Sequence, residues 1–376
     1  MAEQELFIGL MSGTSLDGVD GVLADFSNGG IAVRAHATAH FPISLRAELL
    51  ALNTPNGDNE LHRAALAGNH LARLYADVAH QLLADTGVAA AAVRAIGAHG
   101  QTVRHRPGEF DDVGYSLQIN SPAALAEWTG IDVVADFRSR DLAAGGQGAP
   151  LVPGFHRALF GRPDRAIAVL NIGGIANLSL LPPGAGADAT VLGFDCGPGN
   201  ALMDHWCQSH VGEPFDRGGQ WAASGRVLPE LLARLAGGPW FTRAPPKSTG
   251  RDLFNPAWLA THLGADSGAA AVDVQATLAE LTASACASDV QRYGPRSTEL
   301  IVCGGGALND HLMARLKALL PGVDVVSSAE RGLPPQQVEA AAFAWLARAT
   351  IRGEPGNLAS VTGARGARVL GGIYPA

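Results

Sequence analysis

Short apolar-rich runs at 6–11 and 19–26, followed by 31–41 with apolar or small residues on alternate positions, predict three strands. A helix follows, because Leu71, Leu74, Tyr75, Val78 and Leu82 recur at i, i+3, i+4, i+7 and i+11 and so share one stripe. Strands return at 93–99 and 115–120. Ser121 and Pro122 suit the N-cap and first turn of a helix reaching Trp128, and 132–137 is again strand-like. The regular pattern stops in Ala143-Ala-Gly-Gly-Gln-Gly-Ala-Pro150, before a helix-like 151–160.

Beyond that break the pattern restarts. Two strands meet at Gly173-Gly174 within 166–181, followed by a strand at 190–194, a helix at 200–210 and a Gly- and Pro-rich middle around 237–256. A helix at 273–292, a strand at 299–303, a helix at 310–319, a strand at 323–327 and a helix at 336–349 complete the chain. Strands alternating with helices predict an α/β fold with a largely covered sheet. A length of 376 residues favours two domains, which we place at 1–145 and 146–376. A hairpin with a glycine turn opens each: Ile8-Gly-Leu-Met-Ser-Gly-Thr-Ser in the first and Leu170-Asn-Ile-Gly-Gly-Ile-Ala-Asn in the second. The layout suggests two lobes of like topology facing one another across a cleft, each offering a glycine turn to one ligand; two buried hairpins can also be alike by chance.

Composition narrows the class. Hydrophobic residues make up 47% and charged residues 16%, far from a disordered chain. A net charge of -8 without a long basic run argues against nucleic acid or an anionic membrane as partner. Cys196, Cys207, Cys286 and Cys303 form no CxxC pair, so free thiols in a reducing cytosol are expected rather than zinc or a disulfide scaffold. The acidic start Met1-Ala-Glu-Gln-Glu is unlike a signal peptide, and a cytoplasmic location is expected. Residues 166–187 carry no charge until Asp188, but glycines and prolines interrupt them, so they read as a buried hairpin and not as a membrane span.

The chemistry is carried by turns. In Gly13-Thr-Ser-Leu-Asp-Gly-Val-Asp20, Gly13 and Gly18 let the backbone approach an anion, and Ser12, Thr14 and Ser15 offer hydroxyls. A carboxylate beside phosphate is tolerable when Mg²⁺ lies between them, so Asp17 or Asp20 reads as metal-facing. Taken alone, the same run could be an ordinary hairpin turn. No P-loop is present: Lys247-Ser248-Thr249 has the tail of that motif without its glycines, and no G-x-G-x-x-G opens the first helix. Asp195, expected at the end of the 190–194 strand, is the candidate base, with a capping or turn role as the alternative. Gly304, Gly305 and Gly306 after a buried strand could seat a flat base or ribose on bare backbone, or simply make a tight connection. His99 and Gln101 suit polar substrate contacts; Asp136 and Arg138, at another strand end, could hold a sugar or its carboxylate, or make surface salt bridges.

Taken together, these segments resemble the 1,6-anhydro-N-acetylmuramic acid kinase family of bacterial peptidoglycan recycling, within the actin/Hsp70/sugar-kinase superfamily. The resemblance rests on residues 8–20, His99-Gly-Gln-Thr102, Asn171-Ile-Gly-Gly-Ile-Ala-Asn177, Asp195 with Gly197-Pro-Gly-Asn200, Pro246-Lys-Ser-Thr-Gly250, Gly304-Gly-Gly-Ala-Leu-Asn309, and Leu333-Pro-Pro335 with Glu339. Cys196 stands where the family pattern would have Thr, which bears on a local hydrogen bond more than on the aspartate.

The resemblance implies a two-lobed, actin-like (ribonuclease H-like) α/β fold with a duplicated core and an interlobe cleft. It implies ATP and Mg²⁺ as co-substrate and metal, a sugar substrate and a homodimer. Gly13, Thr14, Ser15, Leu16, Asp17, Gly18, Val19 and Asp20 would lie on the ATP phosphates. Gly173, Gly174, Asn177, Gly304, Gly305, Gly306 and Asn309 would complete the nucleotide site, with Asp17 toward the metal and Asp195 as catalytic base. His99, Gln101, Asp136 and Arg138 would meet the sugar. In a 1,6-anhydro sugar O6 is tied to C1, so Asp195 would activate water to attack C1 while O6 takes the γ-phosphoryl group. A conventional hexose or amino-sugar kinase, or a non-catalytic actin-like ATP-binding protein, remains the alternative.

Overall fold

The computed structural model describes residues 5–13, 16–184, 190–250, 253–264 and 268–376. They form two compact units, one of residues 1–155 with 337–376 and the other of residues 156–336. Thr14 and Ser15, both expected on phosphate, lie outside the described residues.

The first unit is built on strands β1 (Leu6–Met11), β2 (Gly18–Asp25), β3 (Ala32–His40), β4 (Val93–Ala98) and β7 (Val133–Ala135), with β5 (Gln101–Pro107) and β6 (Gly114–Ile119) as a separate antiparallel pair. The main sheet runs β3-β2-β1-β4-β7, antiparallel through β1, β2 and β3 and parallel through β1, β4 and β7. A short final strand, β13 (Gly372–Tyr374), adds to β7 at the edge. β1 is buried along nearly its whole length because both faces of the sheet are covered. Helix Glu60–Thr86 covers one face and turns the predicted stripe of Leu71, Tyr75, Val78 and Leu82 into the core.

Helix Val338–Ile351 covers the other face. Gly9 of β1 and Gly97 of β4 are register partners, and a Cβ on either would collide with a backbone oxygen of this helix, that of Ala340 or Phe343. The alanine-rich helix therefore lies directly against the bare strands. This is why residues 337–376 pack with the first unit, although the sequence pattern alone runs them on with 146–336.

The second unit repeats the arrangement. Strands β8 (Ala166–Ile172), β9 (Ile175–Leu181), β10 (Leu192–Pro198), β11 (Ser297–Cys303) and β12 (Asp324–Ser327) are ordered β10-β9-β8-β11-β12. The hairpin strands are again antiparallel, and β8, β11 and β12 parallel. Each unit thus has three antiparallel strands extended by two parallel ones, the duplicated ribonuclease H-like core. Helix Ala271–Tyr293 packs along the second sheet with Leu278, Ala279, Cys286 and Val290 in the core. Among the described residues no helix is long and apolar enough to cross a membrane, and 166–181 forms a buried antiparallel hairpin.

Some elements escape the hydrophobic pattern. Helix Ile43–Asn53 buries only Leu45, Leu49 and Leu52, and the β5–β6 pair is largely exposed on one side. Short helices Gln220–Ser224, Pro229–Ala236 and Pro256–Leu263 flank the Gly- and Pro-rich middle around 237–256. β10 extends to Pro198, so Asp195 sits inside the strand, not beyond it.

Candidate active site

The turn after β1 is held from below by side chains of the first unit. Ser12 is buried and its Oγ donates to Gly100 O at 3.0 Å. The backbone N–H of Gly100 donates to Tyr75 Oη at 3.1 Å, and the Tyr75 hydroxyl then donates to Ser12 Oγ, also at 3.1 Å. These bonds close a ring that joins the end of β1 to the end of β4 through helix Glu60–Thr86. Burial pushes the Tyr75 phenol up, so it stays a neutral donor.

His99 and Gln101 support the same turn. His99 Nδ1 lies 3.3 Å from Ser12 O and Gln101 Nε2 donates to Gly13 O at 3.1 Å. Because Ser12 O can only accept, His99 carries its proton on Nδ1 and leaves Nε2 to accept from Arg138 Nη2 at 2.8 Å. Burial first, and then the Arg138 charge, push His99 down to about 3, so it is neutral in any working range. Arg138 also donates to Gly148 O at 2.8 Å; burial lowers it to about 10, opposed by Glu339 and Asp141. Asp136 is exposed, in a left-handed conformation (φ 58°), and accepts from Ser139 Oγ at 2.6 Å.

Within the turn the side chains divide. Leu16, at 4% exposure, and Val19, at 1%, point into the core, so a ligand could meet only their backbone. Gly18 admits no Cβ, because one would strike Ala39 O across β2 and β3. Asp17 is exposed, and the Asp20 carboxylate lies 3.4 Å from His36 Nε2. Among the described residues no group of three metal-ligating side chains forms.

In the second unit three glycine segments converge. Gly173 O accepts from Asn200 N at 2.8 Å, and Gly174 O from Gly199 N at 3.0 Å. Asn200 Nδ2 donates to Ile172 O at 3.0 Å. Gly304 has φ 77°, and a Cβ there would collide with the Asn171 side chain; one on Gly306 would collide with that of Ile172. The three motifs at 171–177, 195–200 and 304–309 are therefore one structural feature, with bare backbone where they meet. Asn309 Oδ1 accepts from Leu312 N at 2.9 Å and so caps helix Asp310–Leu319. Asn177 stands opposite both Asn171 on β8 and Asp195 on β10.

Asp195 pairs with Asn177 at the start of a bulge in β10, where the register skips Cys196 before Gly197 pairs with Ala176. Its backbone N–H donates to Lys247 O at 3.0 Å; its Oδ2 accepts from Thr249 N at 2.8 Å and from Ser248 Oγ at 3.1 Å. Burial pushes the carboxyl up to about 6, against the opposing pull of Thr249, Ser248 and Lys247. At neutral pH the group is a carboxylate with a raised affinity for a proton, as a general base requires. Lys247, Ser248 and Thr249 entered the sequence reading only within a motif; their signal is that run of donors, and nothing local says which aspartate it serves. Tyr75 was visible only as a core position, its hydroxyl hidden in an aliphatic stripe.

A duplicated ribonuclease H-like core with a glycine turn after the first strand of each unit is the fold of the actin-like class. A family model described as anhydro-N-acetylmuramic acid kinase matches residues 5–376, and the chain belongs to that family. A relative of that name from Variovorax paradoxus is 76% identical over 373 residues, covering 99% of each chain. Another, from Albidiferax ferrireducens, is 61% identical over 388 residues, covering 99% of this chain and all of its own (100%). Among solved structures, the activator of 2-hydroxyisocaproyl-CoA dehydratase from Clostridium difficile with bound ADPNP gives a TM-score of 0.47 at 13% identity, covering 90% of this chain and 92% of its own. The ROK hexokinase of Thermus thermophilus gives 0.39 at 16%, covering 91% and 99%.

Proposed function

We propose that this kinase uses ATP to convert 1,6-anhydro-N-acetylmuramic acid into N-acetylmuramic acid 6-phosphate and ADP, with water as co-substrate. The observation that carries the reading is Asp195: Oδ2 is held by two donors, and burial raises its proton affinity to a range useful at neutral pH. A base so placed takes a proton from water as the water oxygen bonds to C1. The C1–O6 bond breaks, O6 takes the γ-phosphoryl group, and the β–γ bond of ATP breaks to leave ADP.

The chain's other residues supply binding and order. Backbone groups of the 13–20 turn would lie on the ATP phosphates, held in shape by Ser12, Tyr75, His99 and Gln101. Gly173, Gly174, Asn177, Gly304, Gly305 and Gly306 would offer surface to the nucleotide, with Asn309 shaping that surface through its cap. Arg138 and Asp136 would meet the polar groups of the sugar, Arg138 as a cation beside neutral His99. An exposed Asp17 on a turn poor in other carboxylates fits Mg²⁺ that is held chiefly by phosphate oxygens and water. That ion would neutralise charge on the phosphates. A homodimer in the cytoplasm belongs to the same reading.

Incubation with ATP, Mg²⁺ and the anhydro sugar in ¹⁸O-water tests it. The expected product is a 6-phosphate carrying solvent oxygen at C1. Absence of a phosphorylated sugar refutes the assignment, and a product without label points instead to phosphorylation of a free hydroxyl.

A further inference from the structure

Behind Asp195 lies an ion pair that the reaction does not touch. Lys247 is 4% exposed, and its Nζ donates to both carboxylate oxygens of Asp289, at 3.1 and 2.9 Å. The ammonium also lies 4.8 Å from the centre of the Trp240 ring and 5.6 Å from that of Phe194, the residue before Asp195. Burying two long-range charges is costly, and pairs of this kind often give no net stability over an apolar substitute. A buried pair of this kind next to Asp195 points to a role other than holding the fold.

The geometry of the chain gives that role. Lys247 O accepts the backbone N–H of Asp195, and the next two residues, Ser248 and Thr249, donate to Asp195 Oδ2. All three contacts come from one tripeptide whose anchor is the Lys247 side chain, fixed to helix Ala271–Tyr293 through Asp289. We propose that Lys247 is a positioning residue: its pair with Asp289 fixes the Lys247-Ser248-Thr249 cradle on Asp195 and places a positive charge behind the base. The inference rests on Asp195 being the base.

The other groups facing this region from the described elements are few. Cys196 of β10 and Cys286 of helix Ala271–Tyr293 are buried thiols, and burial pushes Cys196 well up, so it carries no charge at neutral pH. Burial pushes Asp289 up, opposed by Lys247, Cys196 and Arg292. Lys247 is the cation that acts on Asp195 itself, and its effect is to favour the carboxylate. Removing it should raise the pH at which Asp195 ionises.

The test compares wild type with Lys247→Met and with the double variant Lys247→Met/Asp289→Leu, which removes the pair without stranding a buried charge. Turnover of ATP and anhydro sugar is measured from pH 5 to 8, with thermal melts alongside. Both variants should show the acid limb of kcat/KM moved upward by about half a unit to one unit, kcat lowered about 10- to 100-fold and KM for ATP little changed. The double variant should melt near wild type. A folded double variant with the wild-type limb and kcat would overturn the proposal, since the pair would then serve the fold alone. A wild-type profile flat through this range, or Asp195→Asn that keeps its turnover, removes the base and this inference with it; that failure is read on different enzymes.

Discussion

Thr249 donates its backbone N–H to Asp195 Oδ2 at 2.8 Å across a sequence separation of 54 residues. Fixing one carboxylate oxygen with a backbone donor restrains rotation of the side chain, so the other oxygen keeps one orientation. Burial raises the group while this donor and Ser248 lower it, and the balance near 6 is the outcome of those opposing effects.

The first prediction concerns the proposed role of Asp195 as base. Asp195→Asn should lower kcat by about 10²- to 10⁴-fold while ATP still binds, because general-base catalysis typically contributes that much. In the wild type, activity should fall as pH drops through about 6, when the carboxylate takes up its proton. The effect on stability has the opposite sense. A folded value near 6 lies above the ordinary 3.8, so the folded protein binds this proton more tightly and gains stability as pH falls from about 6 toward 4. At pH 7.5 the charged Asp195 is a cost, and Asp195→Asn should melt higher than wild type by an amount equivalent to about 1–2 kcal/mol. A lower melting temperature there would contradict the desolvation argument.

Tyr75→Phe tests the hydrogen-bond ring under the 13–20 turn. The change leaves the buried Gly100 N–H without its acceptor and Ser12 Oγ without a donor, which should cost about 1–3 kcal/mol in a thermal melt. If the ring sets the shape of the turn, KM for ATP should rise several-fold with a smaller effect on kcat. Loss of stability with an unchanged KM would confine the ring to the fold.

Glycine substitutions can separate packing from ligand approach. Gly306→Ala should destabilise by about 1–3 kcal/mol, since its Cβ would overlap the Ile172 side chain. At Gly173 the nearest atom to an added Cβ is Ile175 O at 3.8 Å, so Gly173→Ala should leave the melting temperature nearly unchanged. A raised KM for ATP in that stable variant would show that the nucleotide needs the space. An unchanged KM would take Gly173 out of the site.

How much of this could be read from the sequence depends on the range of the interaction. Strand and helix periods located β1, β8, β11 and the Leu71 stripe, because each reports which side of one element is buried. The pattern could not attach helix Val338–Ile351 to the first unit, since that depends on Gly9 and Gly97 meeting Ala340 and Phe343 from more than two hundred residues away. In the site, Asp195 and the glycine turns were legible as motifs. Lys247 was legible only as one position of the 246–250 motif and Tyr75 only as a core position, because the ammonium and the hydroxyl find their partners through contacts that no local spacing encodes.

Acid should unfold the protein through its buried histidines. Burial pushes His99 and His156 down to about 3, far below the ordinary 6.5, and His156 holds Ser179 Oγ at 2.9 Å in the second unit. A folded value below the unfolded one means that the unfolded chain takes up the protons first. The stability tied to their neutral state is therefore whole above about 6.5 and is lost progressively as pH falls toward 3, by up to about 1.4 kcal/mol per histidine per pH unit. Protonation of Asp195 below 6 offsets part of this loss, so its replacement in Asp195→Asn should make the acid decline steeper than in wild type. Melts of both proteins from pH 7.5 to 4.5 check the sign: the curves should converge as pH falls, and parallel curves would show that Asp195 titrates as it does in an unfolded chain.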